Sequence, residues 1–390
     1  MKKKIVFFHH GVGLGGAPIS MVKIIQSLDS EKFESHVLLL KDSNLKDYLE
    51  KNNISYSVVD HIFYRKFYRF FPHIVPSYFK FYEIHKIIIY SFFWILSRFF
   101  FSKKVFEKID ADIVHFNSLV LNDFLSCSSK KFKTVIHIRE PIEYGYLGIR
   151  NKIISSQINK YADSVIAISN DNANRLKINK KINVIYNFNE INDLASSRDI
   201  VTNKILYVGG CNEAKGFSLM VDSLKYLDDN IEVFFCGSYD LPALSFFKKI
   251  VFFKRNKIKE KILLLKNSNN AKVIGLTDNI EYYLKSSDIL VNPFIKSHFS
   301  RPIIEAFSFA KPIVCTNIEG MDELIINGYN GVIIDKNTPE NLALHINKLM
   351  TDKDKIFLMG LNGYNFAKEV FSNKNVKKIE KIYNQLLLKV

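Results

Sequence analysis

Lys204-Ile-Leu-Tyr-Val-Gly209-Gly-Cys-Asn-Glu-Ala-Lys215-Gly216-Phe decides the fold, because it restates a pattern already present at the start of the chain. Ile205–Val208 is a short apolar run, Gly209–Gly216 a glycine-bearing loop, and Phe217–Leu227 has helical spacing. The opening residues read the same way. Lys4–Phe8 is a strand, Gly11–Ala17 a glycine-rich loop, and Pro18–Leu28 a helix with Met21, Ile24, Ile25 and Leu28 on one face. A strand that feeds a glycine turn and then an amphipathic helix is the building unit of a parallel sheet.

Outward from these two corners the alternation continues. Ser35–Leu40, Ile113–Phe116, Thr134–Ile138, Ser164–Ile168 and Val184–Tyr186 read as strands of a first domain, with a helix at Asn44–Lys51. Glu232–Cys236, Lys272–Ile274, Ile289–Val291, Ile313–Cys315 and Gly331–Ile334 read as strands of a second. The expected class is α/β, with two Rossmann-like, doubly wound domains. A length of 390 residues agrees, since one hydrophobic core stops growing near ~250–300 residues. The polar stretch Asn187–Asn203 marks the boundary, giving domains at 1–190 and 191–370 and a C-terminal helix at 371–390 that packs back on the first.

Cys127, Cys211, Cys236 and Cys315 are scattered without CxxC or metal-ligand spacing, which points to a reducing compartment. The basic start and the apolar run Ile5–Phe8 resemble a signal peptide, but the run is too short and meets His9, His10 and Gly11. A buried strand is the better reading.

The net charge of +16 is concentrated in two places. Residues 61–108 carry nine Lys/Arg against Glu83 and Glu107, and residues 244–266 carry eight against Glu260, so each segment is +7. The first segment also holds 18 of the 53 aromatic residues. Its run Ile87–Phe101, broken by Arg98, is shorter than the ~20 residues needed to span a bilayer. Bulky aromatics interleaved with Lys/Arg suit a helix lying at an anionic membrane surface. A core-packing helical subdomain with solvated lysines is the plainer alternative. Phe246-Phe-Lys-Lys-Ile-Val-Phe-Phe-Lys-Arg255 has the same chemistry. Nucleic acid is not an expected partner, because no recognition motif accompanies the charge.

Three stretches can carry chemistry. Gly11-Val-Gly-Leu-Gly-Gly16-Ala-Pro follows the first strand and exposes amides at a helix start, where an anion is favoured; it reads equally as a tight turn. Lys215, closing the second glycine corner, can meet a phosphate as a point charge or be a solvated surface lysine. In Asn292-Pro-Phe-Ile-Lys-Ser-His-Phe-Ser-Arg-Pro-Ile-Ile-Glu305 a strand ends at Asn292 and a helix begins near Pro302. A carboxylate such as Glu305 there can bind both hydroxyls of a ribose or complement the helix dipole.

Taken together, Thr277–Pro293, Phe299-Ser-Arg-Pro-Ile-Ile-Glu305 through Pro312, and Glu319-Gly-Met-Asp-Glu323 through Gly331 resemble the C-terminal half of retaining GT-B glycosyltransferases of family 4. Tyr207-Val-Gly-Gly…Lys215-Gly216 is similar to that family's phosphate corner. Gly15-Gly-Ala-Pro, His137-Ile-Arg-Glu140 and Ile185-Tyr-Asn187 resemble its N-terminal motifs. The similarity spans roughly residues 5–385.

The resemblance implies an acceptor domain and a nucleotide-sugar donor domain facing a central cleft. Lys215 and Gly209 would hold the donor diphosphate and Glu305 its ribose. The backbone near Phe299, Ser300 and Arg301 would face the sugar and diphosphate. Gly15, Gly16 and Asn187 would contact the donor from the first domain, with His137 near the reacting centre, or simply a satisfied strand histidine, and Arg139 and Glu140 toward the acceptor. It implies a UDP- or GDP-sugar donor as substrate, no metal and no cofactor. The acceptor would be a saccharide, including one carried on a lipid, at the cytoplasmic face of the plasma membrane.

Two departures stand out. The first glutamate of the family's E-x7-E motif is Ser297, and the arginine after the first glycine of the phosphate corner is Gly210. Arg301 is the candidate replacement charge. A catalytically weak GT-B-like binding or scaffold protein is the alternative that these departures raise.

Overall fold

Ile5 and Phe7 of strand β1 (Lys3–His9) enter one hydrophobic cluster, Val6 and Phe8 another, so the strand is buried on both faces. That is the requirement of a parallel strand with helices above and below it. The structure, a computed structural model, describes residues 1–70, 84–142, 148–191, 202–240 and 251–388, without the side chains of 84–87 and 251–255. It divides into two compact units, Met1–Phe188 with Asn373–Val390, and Asn189–Ser372.

In the first unit β1 leads to α1 (Gly16–Ser27), β2 (Phe33–Leu39), α2 (Leu45–Lys51) and β3 (Tyr56–Val58). A π-helical turn at Phe63–Phe67 precedes α3 (Ile84–Leu96), a second π turn at Ser97–Phe101, and α4 (Ser102–Phe106). Then come β4 (Ile113–Phe116), a 3-10 turn at Leu119–Phe124, α5 (Leu125–Ser128), β5 (Lys133–Ile138), α6 (Ile149–Tyr161), β6 (Ser164–Ala167), α7 (Asn170–Asn174) and β7 (Ile182–Val184). Among the described residues the sheet has seven parallel strands in the order β3-β2-β1-β4-β5-β6-β7.

The second unit runs β8 (Lys204–Val208), a 3-10 turn at Glu213–Lys215, α8 (Phe217–Ser223), β9 (Glu232–Cys236), α9 (Val251–Lys266), β10 (Ala271–Gly275), α10 (Ile280–Lys285) and β11 (Ile289–Asn292). It continues with α11 (Arg301–Phe307), β12 (Ile313–Cys315), β13 (Gly331–Ile333), α12 (Pro339–Met350) and α13 (Lys353–Val370). Its described sheet has six parallel strands in the order β10-β9-β8-β11-β12-β13. Both orders are doubly wound, reversing beside the first strand of each unit. The last helix, α14 (Lys374–Leu387), belongs to the first unit. Its Val376, Ile379, Ile382, Tyr383 and Leu386 share a core with Met21 and Ile24 of α1 and Leu45 of α2.

Three local readings change. Val184–Tyr186 is not the last strand: pairing of Ile182 with Val165 and Val184 with Ala167 sets β7 two residues earlier, and the Ile185 amide makes a closing hydrogen bond to the Ala167 carbonyl at 2.9 Å. The helix after Gly216 stops at Ser223 and tightens into a 3-10 turn at Leu224–Tyr226. β3 is a half-buried edge strand with no apolar run to announce it.

The aromatic-basic segment has two sides. Inward, Phe93, Leu96 and Phe101 pack on the core, Tyr68 donates to Asp123 at 2.8 Å and Trp94 to Asn122 at 3.0 Å. Outward, Ile88, Phe92, Ile95 and Phe99 are 64%, 56%, 45% and 68% exposed. Steps of four, three and four residues put those four on one helical stripe, continued by exposed Lys103 and Lys104. Parts of both basic segments (71–83 and 241–250) and of the expected domain boundary (192–201) lie outside the described residues. Among the described residues no helix is long and apolar enough to cross a membrane.

Candidate active site

In open parallel sheets ligands bind beyond the carboxyl ends of the strands where the order reverses. In the second unit that place is the end of β8 and β11. Gly209 and Gly210 follow β8 in a turn that only glycine fits. A Cβ on Gly209 would meet the Tyr207 hydroxyl at 2.1 Å; one on Gly210, whose φ is +56°, would meet the Ser238 carbonyl at 2.2 Å. At Gly210, where the resemblance implied an arginine, this backbone therefore leaves a side chain no room.

Asn212 caps the short 3-10 turn by accepting from the Ala214 amide at 2.9 Å, and the turn delivers Lys215. Gly216 adopts φ +74°, and a Cβ on it would lie 1.7 Å from the Pro293 carbonyl oxygen. The Ile295 amide donates to the Ala214 carbonyl at 3.2 Å. These close approaches hold the lysine corner against the loop after β11. Burial lowers the Lys215 ammonium below its usual value, and the Glu305 carboxylate opposes that shift.

Ser300 and Phe299 point inward. The Ser300 hydroxyl donates to Asn292 at 2.7 Å, and Phe299 packs edge-on to Phe371. Arg301 opens α11, with Pro302 in its first turn. Its Nε donates to Glu305 Oε1 at 2.6 Å, one turn on. The structure thus pairs Arg301 with Glu305, and the Glu305 carboxylate also acts on Lys215 through its charge, so that two cations share the field of one carboxylate at this corner. The Ser297 hydroxyl donates to the Glu319 carbonyl at 2.9 Å.

In the first unit the reversal lies between β1 and β4, where a buried polar cluster gathers. Arg139, 3% exposed, donates from Nε to Asn117 at 2.5 Å, from Nη1 to Asn187 at 2.8 Å and from Nη2 to His137 Nδ1 at 3.4 Å. Asn117 contacts His9, and His115 joins His137 to Tyr383. Burial, then the Arg139 charge, pushes the His115 imidazole down to about 3 and the His137 imidazole well below its ordinary value. Burial also lifts the Glu140 carboxyl, although Glu140 accepts from Ser118 at 2.7 Å and from the Leu119 amide at 3.4 Å. Arg139 and Glu140, expected toward the acceptor, thus also brace Asn117, Asn187 and the turn after β4.

Gly15 is the extended residue before α1 and Gly16 its first; a Cβ on Gly15 would meet nothing within 4 Å. The first turn of α1 contains no acidic residue and no side-chain cap. Gly11 is fixed by its φ of +75° and the Lys41 carbonyl 2.1 Å from a would-be Cβ.

The motif reading missed His9, His115, Asn117 and Tyr383. Their signal was present for His115, a polar residue inside the otherwise apolar Ile113–Phe116. It was absent for Tyr383, one more apolar-face residue of an amphipathic helix.

Two doubly wound sheets, each with a glycine corner at its switch point, define a two-domain α/β enzyme of GT-B architecture. Residues 192–366 match the family described as Glycosyl transferases group 1. An uncharacterized glycosyltransferase of Methanocaldococcus jannaschii, MJ1069, is 30% identical over 332 residues, 76% of this chain and 79% of that protein. The N,N'-diacetylbacillosaminyl-diphospho-undecaprenol alpha-1,3-N-acetylgalactosaminyltransferase of Campylobacter jejuni is 22% identical over 343 residues, 78% of this chain and 87% of its own. Among solved structures, Anabaena Alr3699/HepE in complex with UDP and glucose superposes with a TM-score of 0.72 at 19% identity, over 98% of this chain and 100% of that one. The chain belongs to the glycosyl transferases group 1 family and is a glycosyltransferase.

Proposed function

We propose that the protein moves a hexose-type sugar from a UDP- or GDP-sugar to a saccharide acceptor carried on a lipid, with retention of configuration, in the assembly of a surface polysaccharide. The observation that carries this reading is the cluster of Lys215, Arg301 and Glu305 at the carboxyl ends of β8 and β11. Lys215 meets the diphosphate as a point charge. Glu305, oriented by Arg301, keeps a second oxygen for the ribose hydroxyls. The UDP held by the Anabaena protein and the undecaprenyl-linked acceptor named for the Campylobacter enzyme support the donor and acceptor classes.

Transfer proceeds by front-face substitution. The bond from the anomeric carbon to the diphosphate oxygen breaks, the acceptor oxygen bonds to the same face, and a departing phosphate oxygen takes the acceptor's proton. The protein supplies placement and stabilises the leaving charge. That chemistry needs neither a carboxylate pair spaced for double displacement nor a metal. The outward stripe Ile88, Phe92, Ile95 and Phe99 beside Lys103 and Lys104 supports docking on an anionic, cytoplasmic membrane surface.

The test is a panel of UDP- and GDP-sugars incubated with the purified chain and a bacterial lipid-linked saccharide. One donor should yield free nucleoside diphosphate, and the product's anomeric proton should report the donor's configuration. An inverted product would overturn retention, and donor binding without any turnover would favour the scaffold reading.

A further inference from the structure

Proton positions in the buried chain of the first unit follow from which groups can only donate. A guanidinium has no acceptor. Arg139 Nη2 lies 3.4 Å from His137 Nδ1, so that nitrogen offers its lone pair. His115 Nε2 lies 3.1 Å from the same Nδ1 and must therefore carry the proton between them. His115 is fully buried and neutral, held down to about 3 by burial and the Arg139 charge. With its proton on Nε2, its Nδ1 accepts from the Tyr383 hydroxyl, 2.6 Å away.

The rings that make these bonds are held in place. Phe7 stacks on His115 with centroids 4.9 Å apart, and Phe33 packs edge-on to Tyr383 at 5.7 Å. Polarity therefore runs one way, from Tyr383 through His115 to His137. It leaves the proton of neutral His137 on Nε2, and that atom is buried with no hydrogen-bond partner among the described residues. A buried donor left unpaired is costly, a cost that an arriving substrate oxygen would remove. His137 also lines a small cavity with Ser20, Tyr186 and Asn187.

We infer that Tyr383 and His115 are positioning residues that lock His137 in the Nε2–H tautomer, so that His137 serves transfer as a hydrogen-bond donor to a substrate oxygen and not as a base. The lock rests on geometry within one unit; its use in transfer rests on the glycosyltransferase reading above.

The experiment separates the two. In the full-length chain labelled with 15N-histidine, long-range proton–nitrogen spectra at neutral pH should show His137 protonated on Nε2 and His115 on Nε2. A proton on His137 Nδ1, or an even mixture, would overturn the lock. Tyr383→Phe should introduce a second His137 tautomer and lower kcat about tenfold with the donor KM unchanged. His115→Gln, whose amide can accept from Tyr383 and donate to His137, should keep kcat within about twofold, whereas His115→Met should not. Equal losses in the Gln and Met variants, in chains that remain folded, would overturn the positioning role. A wild-type chain that shows the tautomer but transfers no sugar would uphold the lock and overturn the transfer reading.

Discussion

Arg301 Nε sits 2.6 Å from Glu305 Oε1, across one turn of α11, with the two side chains only 11% and 20% exposed. Arg301, expected from the motif to replace a missing phosphate-facing charge, directs its Nε to the carboxylate proposed to bind the ribose. The pair makes a double-mutant cycle informative. Arg301→Ala should lower kcat/KM about tenfold, and in the Glu305→Gln background the same change should cost little, a coupling of about 1–2 kcal/mol. Additive losses would show that Arg301 acts on the donor directly.

Gly216 is the pivot of the lysine corner. Its φ of +74° and the Pro293 carbonyl 1.7 Å from a would-be Cβ leave no unstrained alternative to glycine. Gly216→Ala should destabilise the chain by about 2 kcal/mol or more and weaken nucleoside diphosphate binding at the same time. Denaturant unfolding and titration calorimetry read the two effects. An alanine variant as stable as the wild type would mean that the corner is looser than its geometry shows.

The outward aromatic stripe gives the membrane prediction. A fully buried Phe side chain contributes about 1.5–3 kcal/mol. Phe92→Ser with Phe99→Ser should therefore reduce flotation with phosphatidylglycerol-rich vesicles by about tenfold or more. Added salt should weaken the wild type as well, through Lys103 and Lys104. Binding unchanged in the double variant would place the contact elsewhere.

Buried histidines set a pH dependence of stability. His9, His10, His115, His137 and His298 are held well below their ordinary 6.5, chiefly by burial. Below about pH 6.5 the unfolded chain binds protons that the folded chain refuses, so stability falls as pH falls, by up to ~1.4 kcal/mol per pH unit for each histidine. Asp123, lifted by burial to about 7, holds its proton in the folded state and opposes this, and the upward shift of buried Glu140 acts in the same direction. Five histidines against two carboxyls leave a net loss. The denaturation midpoint should drop between pH 6.5 and 5, and a midpoint that rises over that interval would contradict the buried-histidine assignment.

Much of the fold was legible because parallel strands buried on both faces are written as short apolar runs. Ile113–Phe116, Glu232–Cys236 and Ile313–Cys315 stand where their residues indicated. β7 shifted because its limits come from pairing with β6, which no local pattern encodes. At the site, Lys215 and Glu305 were visible as charges at strand–helix corners. The Gly210 departure was visible too, but the Ser238 backbone that closes on it was not. Tyr383 meets His115 across 268 positions, from a helix whose sequence shows only an apolar face.

Lys215 tests the central claim most directly. Nucleoside diphosphate release from the accepted nucleotide sugar should be measured for the wild type and for Lys215→Ala, with acceptor present. Loss of one charge-assisted phosphate contact is worth about 1.5–3 kcal/mol. The variant should therefore remain folded, with kcat/KM lower by about ten- to a hundredfold. A variant that releases nucleoside diphosphate as fast as the wild type would contradict a donor site built on this lysine.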